Sequence, residues 1–239
     1  MKSYRGNAIA VGVLFIACSA ASILSAVPLG STLDDPDYLS KLAVSDNAVV
    51  TTALIEFVWA ATGAGIAIGL YPILRLFNPA LALGSVAARV VENVFVLIGT
   101  LSLLVLLTVS QQSLAPGSAA PSSFQATGDA LLAVRDWVHG FVALLAFGIG
   151  VLMYYYVFYR SRLVPRWLSG WGLAGAALML VATVYSGFTQ DFGFTTVTTV
   201  LSAPIGLQEM VLAVWLIVKG FNPSALRSIA PSAVRSTTP

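Results

Sequence analysis

The sequence predicts an all-α integral membrane protein, a polytopic bundle of six transmembrane helices with both termini in the cytoplasm. Of its 239 residues 58% are hydrophobic and only 9% are charged, whereas a soluble domain carries about 25% charged residues. Six apolar stretches are each about 20 residues long, which is enough to cross the hydrocarbon core of a bilayer. The charges between these stretches alternate in sign along the chain, as the positive-inside rule requires.

The six predicted spans are separated by polar segments or by segments rich in glycine, proline and serine. The first span follows two basic residues, as a signal peptide does, but it is longer than the apolar part of such a signal. We therefore expect it to remain in the protein. A low-complexity connector is predicted at 111–128, a transmembrane domain at 1–221 and a disordered cytoplasmic tail at 222–239. The spans are predicted at 7–29, 49–74, 81–109, 131–159, 168–188 and 197–218.

The side on which each charge falls orients the predicted bundle. With the N-terminus in the cytoplasm, every predicted cytoplasmic segment is basic and contains no acid. The outer segments collect six aspartates, with Lys41 as their only base. The basic residues are Lys2, Arg5, Arg75, Arg160, Arg162, Arg166, Lys219, Arg227 and Arg235, and the outer acids are Asp34, Asp35, Asp37, Asp46, Asp129 and Asp191.

Two further patterns fit a bundle that packs within lipid. The aromatic run 154–159 precedes Arg160, and such rings favour the membrane interface, so we expect them to anchor the fourth span. Gly65 and Gly69 are four residues apart, a spacing that lets two helices approach closely. We expect this approach within the bundle, with a homo-oligomer as the alternative. Membrane lipids are the expected partners, and the small net charge of +2 argues against nucleic acid.

Seven ionisable residues fall inside the predicted spans. A charged group at the centre of a bilayer costs about 2.5–3.5 kcal/mol even on the most lenient scale. We therefore expect most of these side chains to face the interior of the bundle and to satisfy one another. They are Glu56, Arg89, Glu92, Arg135, Asp136, His139 and Glu209.

The spacing of these residues predicts local pairs. Arg89 and Glu92 are three residues apart and share a face of an α-helix. Asp136 and His139 have the same spacing, and Arg135 precedes His139 by one full turn. We expect the first pair near the middle of the membrane and the other three residues in its outer half.

The charge count predicts that one carboxyl group is neutral. Four carboxylates face two arginines, so full ionisation would leave an excess of two negative charges in an apolar interior. We expect at least one of Glu56, Glu92 and Glu209 to be protonated at neutral pH. Gln208 could supply an amide to the same network.

Candidate site residues follow from these patterns. The catalytic candidates are the acids and the histidine, and the ligand-binding candidates are the neighbouring cations, amide and aromatic rings. Trp59 follows Glu56 by three residues, and Phe95 follows Glu92 by three, so both rings could line a pocket. The catalytic candidates are Glu56, Glu92, Glu209, Asp136 and His139. The ligand-binding candidates are Arg89, Arg135, Gln208, Trp59 and Phe95.

No metal site and no cofactor are predicted. Asp136 and His139 resemble half of a carboxylate–histidine motif, but di-metal bundles use two such motifs, and this chain has one histidine. Neither a phosphate-binding loop nor a nucleophilic serine motif is present.

Several functions remain open at this point. In the first, the buried acids bind or act on an apolar lipid- or isoprenoid-like molecule by general acid chemistry. The alternatives are a small proton-coupled transporter, in which midplane acids bind the coupling ion, and a scaffold or accessory subunit without a site. Whether the chain is an enzyme is left undecided.

Short segments across most of the chain carry a family resemblance. Together they resemble the bacterial integral membrane family catalogued as domain-of-unknown-function 4386. The resemblance implies a multi-pass protein of the bacterial cytoplasmic (inner) membrane. It implies no catalytic residues, because the family's function is not established. The segments are YRG at 4–6, LYPILR at 70–75, ARVVE at 88–92, LQE at 207–209 and WLIVKGF at 215–221.

Overall fold

The computed structural model describes residues 2–116, 121–193 and 195–227. All regular elements among these residues are helical. The π-helical turn Val138–Val142 joins α5 to α6 without a break. The helices are α1 (Lys2–Leu24), a 3-10 turn (Thr32–Asp34), α2 (Tyr38–Ala43), α3 (Asp46–Leu74), α4 (Pro79–Ser113), α5 (Pro121–Trp137), α6 (Ala143–Ser161), α7 (Arg166–Thr189), α8 (Thr196–Val218) and α9 (Pro223–Arg227).

Six helices are long and apolar enough to cross a membrane, which confirms the predicted fold class. Five of the predicted spans lie entirely within one of them. The first was predicted to reach residue 29, but α1 ends at Leu24 and residues 25–31 form turns. The six helical segments are Tyr4–Leu24, Asp46–Leu74, Pro79–Ser113, Ser122–Ser161, Arg166–Thr189 and Thr196–Val218.

Helices also extend into segments that composition had predicted to be irregular. Helix α4 continues to Ser113 and α5 begins at Pro121, so much of the predicted connector is helical. Proline is well tolerated in the first turn of a helix, where its missing N–H costs nothing. Residues 117–120 lie outside the described residues. In the predicted tail, residues 223–227 form α9, and residues 228–239 lie outside the described part of the chain.

The six long helices form a closed ring in chain order. Each packs against the helices before and after it, and α8 returns to pack against α1. Arg5 in α1 closes the ring, because its guanidinium donates hydrogen bonds to backbone carbonyls at the end of α8. Asn7 donates to the carbonyl of Gly69 on α3 at 2.8 Å. The beginning of α1 is therefore fixed to both of its neighbours.

Contacts at the two ends of the ring show that successive helices run in opposite directions. At one end, Tyr38 donates to Asp129 Oδ1 at 2.8 Å, which joins α2 to α5. At the other, the backbone N–H of Asn222 donates to the carbonyl of Leu163 at 2.8 Å, which joins the segment after α8 to the loop after α6. We call these the acidic end and the basic end, after the charges predicted for them. Which end faces the cytoplasm stays a prediction.

The outer surface of the ring is apolar, and the interior is lined by aromatic rings. Large apolar side chains such as Val13, Leu54 and Val181 are more than half exposed, and they require lipid rather than water around them. Inside, Phe15 and Tyr154 meet edge to face with centroids 6.5 Å apart. Polar side chains enter this interior at two places.

Candidate functional site

Six of the seven ionisable residues predicted within the spans divide between two clusters. The Glu56 cluster consists of Glu56, Thr100, Arg135 and His139. The Arg89 cluster consists of Arg89, Glu92, Asn93, Tyr154 and Glu209. Asp136 belongs to neither, because its side chain is exposed.

In the Glu56 cluster, one arginine and one threonine satisfy a buried carboxylate. Arg135 contacts both carboxylate oxygens of Glu56, with Nη1 at 3.3 Å from Oε2. Thr100 donates to Oε2 at 2.7 Å. The same Arg135 Nη1 donates to the carbonyl of Gly99 at 3.0 Å. Glu56 therefore links α3, α4 and α5, and its charge is matched within the cluster.

His139 lies in the π-helical turn and faces α4. Its Nε2 atom is 2.9 Å from the carbonyl oxygen of Val96, so Nε2 carries the proton and donates it. Its ring meets Trp59 edge to face, with centroids 5.8 Å apart. A Cβ atom on Gly99 would overlap this imidazole, so glycine makes room for it. The imidazole is thus held by a carbonyl, a ring and a glycine.

Asp136 and His139 do not bond to each other, contrary to the local pairing that their spacing predicted. The prediction assumed an α-helix, in which residues three apart share a face. The π-helical turn begins at Val138 and has more residues per turn. The imidazole consequently turns towards α4, while the Asp136 carboxylate remains exposed.

The Arg89 cluster contains the local pair that the sequence predicted. Arg89 Nη1 and Glu92 Oε2 are 2.7 Å apart, and both side chains are buried. The guanidinium carbon lies 4.6 Å from the ring centroid of Phe147 on α6. Arg89 Nη2 donates to the carbonyl of Gly63 on α3 at 3.4 Å. This arginine therefore connects three helices at the middle of the bundle.

Several polar atoms of the Arg89 cluster lack a well-oriented hydrogen bond to the described residues. They are Nε and Nη1 of Arg89, Oε2 of Glu92 and Oδ1 of Asn93, and all are buried. For Nη1 and Oε2, the ion pair between them partly compensates for the missing hydrogen bond. The large majority of buried side-chain polar atoms in proteins have a hydrogen-bond partner. The cluster thus retains donors and acceptors for a further polar group.

Glu209 of α8 is the carboxyl group of this cluster that has no close cation. Tyr154 donates to its Oε1 at 3.4 Å. Among the described residues, no basic nitrogen lies within 4 Å of it. Arg89 acts on it electrostatically from farther away. Its side chain is partly exposed, unlike those of Glu56 and Glu92.

The sequence model of one protein family matches most of the chain. It covers residues 10–220 and is described as Domain of unknown function (DUF4386). The chain belongs to this family. No curated protein and no solved structure matches it. In this DUF4386 protein, two of the segments that carried the resemblance contain Arg89, Glu92 and Glu209.

Other candidate residues hold the bundle together. Gln208 is buried; it accepts a hydrogen bond from Tyr155 and donates to the carbonyl of Leu168 at 3.0 Å, joining α8 to α6 and α7. Trp59 and Phe95 pack on an apolar group formed by Ala60, Val96 and Ala143. Within the described residues, no group of three or more potential ligands is arranged to hold a metal ion.

Two tyrosines of the interior were missed as site residues, because the aromatic run 154–159 was interpreted as an interfacial belt. Tyr154 and Tyr155 are at most 1% exposed, whereas Tyr156 is 47% and Tyr159 is 38% exposed. Helical periodicity within the run could have separated the inward rings from the outward ones. The outward tyrosines remain the candidates for a belt.

Proposed function

We propose that this protein binds an apolar, lipid- or isoprenoid-like molecule within the membrane, with Glu209 as general acid towards its polar group. One observation carries the proposal: Glu209 is a partly exposed carboxyl group on a membrane-spanning helix, without a cation within 4 Å among the described residues. Glu56 and Glu92 are buried in ion pairs and are assigned a structural role.

The protonation state of Glu209 follows from the charge count. Each arginine of the two clusters is already matched with one carboxylate, Arg135 with Glu56 and Arg89 with Glu92. An unpaired carboxylate in apolar surroundings is far more costly than the neutral acid. Glu209 therefore holds its proton in the resting protein and can donate it.

The rest of the Arg89 cluster supports this role. Arg89 Nε and Asn93 Oδ1 are buried and need hydrogen-bond partners, which a polar ligand group or a water can supply. When the Glu209 proton passes to an oxygen of the ligand, the carboxylate left behind is stabilised by Arg89 and by the Tyr154 hydroxyl.

Photolabelling of the full-length protein in nanodiscs tests the proposal. The probe is a farnesol analogue carrying a diazirine, and mass spectrometry of the peptides locates the label. We expect label on α8 and on the helices facing Glu209, competed by unlabelled farnesol. Glu209→Leu should weaken labelling about tenfold, which corresponds to the loss of one hydrogen bond at the upper end of the usual range.

Two further variants separate the loss of a hydrogen-bonding group from a general disturbance of the helix. Glu209→Gln keeps a hydrogen-bond donor and should retain most of the labelling. Leu207→Gln places the same amide on the lipid-facing side of α8, where Leu207 is 63% exposed, and should label like wild type. Label spread evenly over the outer surface and insensitive to Glu209→Leu would refute the proposal.

A flux experiment addresses the transporter alternative. The wild-type protein and Glu209→Gln are reconstituted in liposomes that contain a pH-sensitive dye. We expect both to be as proton-tight as empty liposomes. If the wild type conducts protons, Glu209→Gln abolishes this flux and no site-specific labelling is found, the protein provides a proton pathway and the ligand-binding proposal is wrong.

A further inference from the structure

An open cavity of about 510 Å³ lies at the basic end, and no residue of either buried cluster lines it. It is formed between the loop that joins α6 to α7 and the segment that follows α8. Three of the side chains that line it are basic. Its lining includes Arg162, Arg166, Trp215, Lys219, Phe221 and Asn222.

The charge of this cavity is uncompensated. Arg162, Arg166 and Lys219 are exposed, and no carboxylate among the described residues lies within 4 Å of their nitrogens. The sequence also contains no aspartate or glutamate at 137–190 or at 210–239. Arg166 is positioned over the ring of Tyr159, with 5.3 Å between the guanidinium carbon and the ring centroid. The cavity therefore complements an anion.

Hydrogen bonds from Asn222 hold the two sides of the cavity together. Asn222 Nδ2 donates to the carbonyl of Arg162 at 3.2 Å, and the Asn222 N–H donates to the carbonyl of Leu163. Arg162 ends α6 with a left-handed backbone, φ 58°, and Gly220 follows α8 with φ 72°. Two helix ends are thus tied to each other around the basic side chains.

An apolar groove continues from the cavity along the outer face of α8. It is a shallow groove of about 420 Å³, open on its outer side, and it shares Trp215 and Lys219 with the cavity. Its other walls include Met210, Val214 and Val218, and the two valines are more than half exposed. From residue 219 to residue 210 a helix rises about 13.5 Å, close to the roughly 15 Å of one leaflet's hydrocarbon.

We propose that the cavity and groove together bind one anionic phospholipid. The phosphate and its glycerol lie among Arg162, Arg166 and Lys219, and one acyl chain lies in the groove on α8. A free phosphate would use the cavity alone, whereas a phospholipid uses both parts. The site is independent of Glu209 and goes beyond the function proposed above.

Native mass spectrometry of the full-length protein in micelles tests the site. Phosphatidylglycerol and phosphatidylcholine are titrated separately, and the dissociation constant of the first bound lipid is measured for each. We expect phosphatidylglycerol to bind more tightly. Arg162→Gln/Lys219→Gln should weaken its binding about thirtyfold, since each basic residue near an anionic lipid surface is worth roughly a factor of five.

The matched control removes two other charges from the same end of the bundle. Arg75→Gln/Arg160→Gln changes the net charge equally, and neither residue lines the cavity, so lipid binding should be unchanged. Val214→Trp fills the groove without altering charge, and it should weaken phosphatidylglycerol binding several-fold. This variant tests the site independently if the charge variant fails to fold. Exposure of Cys18 to a thiol-reactive dye reports folding in each variant.

Three outcomes would overturn the proposal. The first is equal affinity for the two lipids, and the second is an equal loss in both double variants, which would indicate a general surface charge. The third is complete competition by millimolar inorganic phosphate together with normal binding to Val214→Trp, which would indicate a free-anion site.

Discussion

Arg135 on α5 contacts both carboxylate oxygens of Glu56 on α3, although 79 residues separate them in sequence. Thr100 and Gly99 of α4 complete the arrangement from between the two helices. A buried ion pair of this kind adds little when compared with a good apolar contact, but losing one partner leaves a buried charge without compensation. The pair therefore makes a sharp prediction about single and double substitutions.

Arg135→Gln should lower the free energy of unfolding by about 3 kcal/mol, because it leaves the Glu56 carboxylate buried and unpaired. Glu56→Gln/Arg135→Gln should recover at least half of that loss. Thermal unfolding in micelles measures both, with a thiol-reactive dye reporting exposure of Cys18, the single and buried cysteine. If the loss of unfolding free energy in the double variant equals the sum of the losses in Glu56→Gln and Arg135→Gln, the two residues do not interact.

Gly99→Ala should lower the free energy of unfolding by about 1–3 kcal/mol, because the new Cβ overlaps the His139 imidazole and the neighbouring helix must shift. Gly206→Ala is the matched control, since a Cβ there meets no atom within 4 Å. Alanine favours the helix by up to about 1 kcal/mol, so the control should be neutral or slightly stabilising. Equal destabilisation of both variants would contradict the packing of His139 on Gly99.

The buried Tyr38 hydroxyl, at the acidic end of the bundle, should make the protein less stable at alkaline pH. Burial, together with the hydrogen bond to Asp129, raises the pKa of Tyr38 above its ordinary value. Its contribution to stability is therefore complete below the unfolded pKa of about 10 and declines as the pH rises above it. Tyr38→Phe should lower the free energy of unfolding by about 2 kcal/mol at pH 7, because the hydrogen bond is lost.

The difference in unfolding temperature between wild type and Tyr38→Phe, followed from pH 7 to pH 11, is the measurement for Tyr38. That difference should shrink above pH 10, because only the wild type has this hydroxyl to ionise on unfolding. A difference that stays constant with pH would mean that Tyr38 is solvated in the folded protein.

Infrared spectroscopy of the protein at pH 7 should show the carbonyl band of a protonated carboxyl group in apolar surroundings. Because Glu56 is paired with Arg135 in the other cluster, we expect Glu209→Gln to remove the band and Glu56→Gln to leave it. A band that survives Glu209→Gln would show that another carboxyl group carries the proton.

The spans and the Arg89–Glu92 pair could be predicted because both depend on local information. Inside a bilayer every backbone group must bond within its own helix, so a long apolar stretch has one structural solution. A spacing of three residues on a regular helix brings Arg89 and Glu92 to the same face. Each prediction required only one segment of the chain.

The division into two clusters could not be predicted, because it depends on how helices are placed in the ring. Nothing in the sequence relates Arg135 to Glu56 across 79 positions. The π-helical turn separates Asp136 from His139, and hydropathy carries no signal for it. Tyr154 was missed for a different reason: the run of adjacent aromatic residues was interpreted as one interfacial belt, although helical periodicity separates its inward rings from its outward ones.

The contact of Arg5 with the end of α8 has a consequence for biosynthesis. Its guanidinium donates to the carbonyls of Leu216, Ile217 and Val218, which are translated after every other spanning helix. Until then, α1 has no partner on that flank and the interior of the bundle stays accessible to lipid. A nascent chain stopped before α8 would lack this partner, so the ring can close only when the last spanning helix has been made.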